Sequence, residues 1–123
     1  MPALNPEQLH QLFAEAFNAR DMDAILALYE PDACMESAPD QHIEGIEGIR
    51  GVLTVFFTFR GQIRMETRKA VRTAGVGLLK GYWSLNGTAP DGSPLTLEGL
   101  STEVVRQQPD GTWRYVIDLP NDP

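Results

Sequence analysis

Basic residues are scarce in this chain: 10 Lys and Arg stand against 17 Asp and Glu, for a formal net charge of -7 and a pI near 4.7. Nucleic acid and anionic membranes are bound through basic surface that releases counterions, so neither is an expected partner. A local run of Arg60, Arg64, Arg68, Lys69 and Arg72 reads as the solvated face of a strand. Cysteine is nearly absent. Cys34 alone cannot close an intrachain disulfide, which makes a reducing compartment the simpler setting. Histidine occurs only at positions 10 and 42, without the spacing of a metal site, so no metal is expected. The longest apolar run, residues 52–59, is too short to cross a bilayer, and no basic segment followed by an apolar one opens the chain. A soluble cytoplasmic protein is therefore the expectation. Dinucleotide-binding and P-loop glycine patterns, the GxSxG elbow and the HExxH helix are missing too.

What is present suits one globular domain over residues 1–123: 42% of the chain is hydrophobic, enough for a real core. Residues 4–33 read as two short amphipathic helices. Asn5 is placed to cap the first, Pro6 sits where a missing N–H costs nothing, and Gln8 completes a capping box, with Leu4 and Leu9 as a hydrophobic staple. Leu9, Leu12, Phe13, Ala16 and Phe17 form its apolar stripe, leaving His10, Gln11, Glu15 and Asn18 on the wet side. Asp21 caps the second helix, whose stripe is Met22, Ile25, Leu26 and Tyr29, and Pro31 stops it. Helices of about a dozen residues or fewer do not stand alone, so both must lie on a larger apolar surface.

The rest of the chain supplies that surface. Residues 33–37 alternate as a strand, and Ala38, Pro39 and Asp40 turn it into a small lip at His42, Ile43 and Glu44. Residues 45–59 repeat helical spacing through Ile49, Val52, Leu53, Phe56 and Phe57, with Gly61 as C-cap. From Gln62 the period becomes two. Residues 76–85 are apolar on both faces apart from Lys80 and Ser84, which suits a central strand or one covered by a second copy. Turns at residues 89–94 and 109–111 separate strands over 95–106 and 112–119, and residues 120–123 form a tail placed to fold over an opening. Helices followed by a long antiparallel meander describe an α+β domain, a curved sheet wrapped over three helices to leave a cone.

The stretches FNARDMDAILALYEPDA, GIEGIR and LEGLSTEVVRQQPDGTWRYVIDLP resemble the SnoaL-like branch of the nuclear transport factor 2-like, or ketosteroid isomerase-like, superfamily. The resemblance implies a cone-shaped cystatin-like roll with three N-terminal helices packed on a strongly curved, mostly antiparallel sheet. It implies no single reaction, because isomerases, cyclases, epoxide hydrolases, dehydratases and dimerisation modules share that cone. Ketosteroid isomerases of this superfamily use a tyrosine, an aspartate and a late-strand acid. The matching positions here are Phe13, Ser37 and about Ser101, which argues against that chemistry. An Asp-Arg-Asp epoxide hydrolase site is not legible either.

Two carboxylates are the candidate catalytic groups. Alternation on the fifth strand leaves two linings open: Leu97, Gly99, Ser101, Glu103 and Val105 facing inward, or Leu100, Thr102 and Val104 with Glu103 on the surface. Inward, Glu103 becomes an acid whose proton affinity burial would raise toward neutrality. Asp118 shares a face with Arg114 and Val116, opposite Trp113, Tyr115 and Ile117, so patterning makes it solvated unless a second copy covers the outer sheet. Candidate ligand contacts are Phe13, Tyr29, Met35, Ser37, Phe56, Trp83 and Ser101. His42 lies in a turn-rich lip, and Cys34 on an apolar strand is expected to be inert. The leading expectation is a pocket for a hydrophobic small molecule, with acid/base chemistry needing no cofactor, in a homodimer joined through the outer sheet face. The alternative is a ligand-binding or dimerisation module that uses the same cone without catalysis.

Overall fold

The computed structural model describes residues 2–123. After a tight 3-10 turn at Pro6–Gln8 come α1 (Leu9–Asn18), α2 (Met22–Leu26), β1 (Tyr29–Ala38), β2 (Gln41–Glu44), α3 (Gly45–Phe57), β3 (Arg60–Thr73), β4 (Val76–Thr88), β5 (Pro94–Gln107) and β6 (Trp113–Leu119). The six strands form one sheet in the order β2-β1-β6-β5-β4-β3, antiparallel throughout except for β1 beside β6. The expected α+β architecture is therefore present, with the helices on the concave side: α1 packs on β3, and α3 on β1. Leu9, Phe17, Ile25, Ile49, Leu79, Leu85 and Val105 fill the space between. Each such side chain contributes about 1.5–3 kcal/mol by leaving water. Among the described residues no helix is long and apolar enough to cross a membrane.

Local signals worked where the deciding contact is local. Asp21 accepts from the Ala24 amide at 3.1 Å as the cap of α2, and Ala74 and Gly75, both at positive φ, turn β3 into β4. Asp91 and Asp110 accept from amide and hydroxyl two residues on, closing the last two turns. The start of α1 differs. Leu4 is 70% exposed, so there is no staple, the Asn5 side chain makes no cap, and Gln8 Oε1 accepts instead from the Leu4 amide at 2.6 Å.

Tyr29 is not helical. It opens β1, which starts four residues earlier than alternation implies, because the parallel pairing of Tyr29 with Tyr115 and of Cys34 with Ile117 draws the chain out. Pro31 is accommodated in the irregular stretch between those two register points, where no ladder amide is required. Gly61 does not cap α3, which ends at Phe57, and it lies in β3 instead. A Cβ there would collide with the backbone of Asn86 and Gly87 on β4. At the free edge of β3, the Asn18 side chain pairs with both backbone groups of Ile63, donating to its oxygen at 3.0 Å and accepting from its amide at 2.8 Å. Arg20 donates to Gly61 O at 2.9 Å beside it.

Strand β4 is not apolar on two buried faces. Leu79, Trp83 and Leu85 point into the core, whereas Val76 and Leu78 lie 43% and 38% exposed on the convex side with Val71, Leu100 and Ile117. The register builds the concave face in layers: Met65, Trp83 and Gly99 in one, Thr67, Gly81 and Ser101 in the next, then Leu79, Glu103 and Asp118. This chooses between the two linings of β5, because Ser101, Glu103 and Val105 are buried. A bulge in β6 settles Asp118. Val104 pairs with Ile117 but Val105 pairs with Tyr115, which leaves Val116 unmatched and turns Tyr115 and Asp118 to the same face. The expected solvated position of Asp118 is thus corrected by one extra residue in the strand. It is buried by the sheet's own concavity, and covering by a second copy plays no part.

Candidate functional site

The deepest polar groups meet where α1 crosses the middle of the sheet. His10, expected on the wet side of its helix, is 1% exposed, since the buried stripe His10, Phe13, Phe17 runs at i, i+3 and i+7 and faces β3. Its Nε2 pairs with Glu103 Oε1 at 2.8 Å, and its Nδ1 pairs with the Thr67 hydroxyl at 2.7 Å. Both ring nitrogens therefore have partners whether the imidazole is neutral or charged, because a hydroxyl can donate or accept. Room for the ring comes from Gly81. A Cβ at that position would stand 2.7 Å from His10 Cε1 and 2.9 Å from Ser101 Oγ.

Asp118 lies directly across β5–β6 from Glu103. Tyr29 donates its hydroxyl to Asp118 Oδ2 at 2.6 Å, and the rings of Tyr29 and Tyr115 pack at 4.9 Å between centroids. Burial first, then the charge of Glu103, pushes the Asp118 carboxyl from 3.8 up to about 7, while the Tyr29 hydrogen bond and His10 pull the other way. Burial, followed by the neighbouring carboxylates, holds the Tyr29 and Tyr115 phenols well above their ordinary value, which keeps both as hydroxyl donors. The hydroxyls of Tyr115 and Ser101 are buried with no hydrogen-bond partner. Two acids, an imidazole and four hydroxyls thus share one small volume. Such a cluster can take, hold and return a proton.

Beyond this floor lies an apolar pocket lined by Phe13, Phe17, Met35, Phe56, Met65 and Trp83, among others, with a cavity volume of about 60 Å³. Met35 connects pocket and floor, since it stands opposite Asp118 across β1–β6. Trp83 is tied from behind: its indole N–H donates to Pro120 O at 2.7 Å, so the C-terminal tail holds one pocket wall. Asp122 secures the tail, its amide donating to Leu100 O at 2.7 Å and its carboxylate accepting from Thr102 Oγ1 at 2.6 Å.

Of the sequence candidates, Phe13, Met35, Phe56 and Trp83 meet in the apolar pocket, and Tyr29, Ser101, Glu103 and Asp118 meet in the floor. Ser37 joins neither. It falls at an irregularity in the β1–β2 pairing, lies exposed on the lip and donates to Gln41 O at 3.3 Å. His42 is exposed near Glu36 at 3.9 Å, and burial first, then Glu44, raises the Cys34 thiol above its ordinary value. No three His, Cys, Asp or Glu side chains gather as a metal site would need among the described residues. Three members of the cluster, His10, Thr67 and Tyr115, escaped the sequence reading. For His10 the signal existed in its spacing to Phe13 and Phe17.

The fold and most of the chain have counterparts among known proteins. The family model described as the SnoaL-like domain matches residues 9–116. Among solved structures, a ketosteroid isomerase-like protein from Erwinia carotovora atroseptica is 19% identical and superposes with a TM-score of 0.81, covering 92% of this chain and 89% of that one. A conserved protein from Planctomyces limnophilus is 13% identical with a TM-score of 0.80, over 91% and 88% of the two chains. A cystatin-like domain of unknown function from Nostoc punctiforme is 14% identical with a TM-score of 0.75, over 95% and 74%. No curated protein matches. At these identities the structures show a shared fold only. Because the family match spans most of the length, from the first turn of α1 to the middle of β6, the chain belongs to the SnoaL-like domain family, within the nuclear transport factor 2-like and ketosteroid isomerase-like fold.

Proposed function

We propose that the protein is an acid/base catalyst acting on a hydrophobic small molecule, of isomerase, cyclase or dehydratase type, with Asp118 as the group that moves the proton. One observation carries this reading. A buried carboxyl, held by a tyrosine hydroxyl and paired across β5–β6 with a second buried acid, stands opposite Met35, which lines a wholly apolar pocket. A carboxyl that titrates near neutrality is matched to taking and returning protons at physiological pH. Of the two acids Asp118 is the more accessible, at 8% against 2% for Glu103, which makes it the one to meet substrate. Tyr29 orients it, and aromatic walls hold the substrate out of water.

The test begins with protein purified from its own host and examined by native mass spectrometry for a retained small molecule. That molecule is then incubated with protein in D2O. Wild type should exchange its activated C–H hydrogen or convert it, and Asp118→Asn should be slower by about 10²–10⁴-fold, the usual contribution of a positioned acid or base. Equal rates for both proteins would remove the catalytic reading.

A second reading, a ligand-binding or dimerisation module, is favoured by the size of the cavity. At about 60 Å³ it is smaller than the roughly 150 Å³ that accepts benzene in an engineered core, so Met35, Met65 or Phe56 must shift to admit a ligand. The convex face supports homodimerisation under either reading, because Val71, Val76, Leu78, Leu100 and Ile117 are exposed on it. A reducing cytoplasm suits the single unpaired thiol of Cys34.

A further inference from the structure

Two carboxyl groups directly opposite on one buried face do not both carry charge comfortably, which favours a proton on one of them. Symmetry does not place it, because their partners differ. Glu103 pairs with the His10 imidazole Nε2 at 2.8 Å, a ring that can carry full positive charge, while Asp118 accepts from a neutral phenol at 2.6 Å. The stronger donor favours the ionised acceptor. We propose that His10 is a positioning residue of this site: clamped by Thr67 and given room by Gly81, it holds Glu103 as the acceptor and so steers the shared proton onto Asp118, the acid that meets substrate.

Three features independent of one another support this role. The ring is buried and tied at both nitrogens, so its orientation is set and it presents Nε2 to Glu103. Gly81 leaves a gap that any side chain would fill at the expense of the ring and of Ser101 Oγ. The groups facing Asp118 come from every element packed around it: His10 on α1, Tyr29 and Cys34 on β1, Glu103 on β5 and Tyr115 on β6, and only His10 among them can be a cation. The inference rests on the acid/base reading of Asp118 and adds to it the reason the proton lies there and not one strand away.

The experiment is carboxyl ¹³C NMR on full-length protein, following Asp118 Cγ and Glu103 Cδ from about pH 5 to pH 9 in wild type, His10→Met and His10→Gln. In wild type the titration step near neutrality should fall on Asp118 Cγ. In His10→Met, which lacks the N–H donor, the larger share of the step should move to Glu103 Cδ. His10→Gln, whose amide N–H reaches a similar place, should return it to Asp118. A step already on Glu103 in wild type overturns the proposal with no variant required, so a His10→Met that fails to fold leaves it testable. A step that stays on Asp118 in His10→Met makes His10 merely structural and overturns it as well, while leaving Asp118 as the proton-moving group. No step on either carbon removes the acid/base reading itself.

Discussion

Replacing Asp118 by Asn should stabilise the protein, and by an amount that depends on pH. The folded carboxyl holds its proton up to about pH 7, against 3.8 for the unfolded reference. That difference corresponds to about 4 kcal/mol of preference for the protonated form in the native state. Because the native state binds the proton more tightly, its advantage is complete below the unfolded value, declines as pH rises from there to about 7, and stays lost above it. The amide of Asp118→Asn would carry no charge at any pH while still accepting from the Tyr29 hydroxyl. The variant therefore escapes the loss. Urea unfolding of both proteins at pH 3, 4.5, 6 and 8 should show midpoints that nearly coincide at the acid end and separate toward pH 8. With a urea slope of about 2 kcal/mol/M, the separation there reaches on the order of 2 M. Titrating groups far from the floor, such as Asp91 and Asp110, are common to both proteins and cancel in the difference. A difference that stays flat from pH 4.5 to pH 8 would refute the reasoning, since Asp118 would then be charged in both states throughout.

Three further outcomes follow from particular contacts. No isomerisation of a 3-oxo-Δ5-steroid above background is expected in a spectrophotometric assay, because Phe13 lines an apolar pocket and Ser37 is exposed on the lip, where the ketosteroid isomerase pattern needs a phenol and a carboxylate. Light scattering at micromolar concentration should give twice the 13.6 kDa chain mass, and Leu78→Lys with Leu100→Lys on the convex face should return it to one. Trp83→Phe should cost about 1 kcal/mol in urea unfolding, by leaving Pro120 O without its donor, and should increase proteolytic clipping of the tail.

The order of elements and the existence of a pocket were legible because they depend on periodicity and turn chemistry, which are local. Asp21, Ala74 and Gly75, and the Asp91 and Asp110 turns announce themselves within four residues. The floor was half legible. Glu103 and Asp118 could be named as carboxylates in late strands, but which way each faces depends on pairing between strands, and an unpaired Val116 inverts the answer for Asp118. His10 was misread for a different reason: a helix pattern records polarity, and a buried polar group whose partners come from β3 and β5 looks like a surface one until the strands are in place.

The side-chain amide of Asn18 pairs with both backbone groups of Ile63 as a neighbouring strand would, and Arg20 takes Gly61 O beside it. One end of the sheet's rim is therefore finished off by its own helix, and the other end, from Met65 to Thr73, is guarded by a register irregularity at Thr67 to Lys69 and by charge: Arg68, Lys69 and Arg72 stand exposed along it. Dilute buffer and crowded brine are then different environments for this molecule. At about 1 M salt the reach of those charges shrinks to about 3 Å, and copies that repel one another in storage can pair rim to rim. Handling at low ionic strength keeps the repulsion, and swapping Asn18 for Ala would add both backbone groups of Ile63 to the sticky rim.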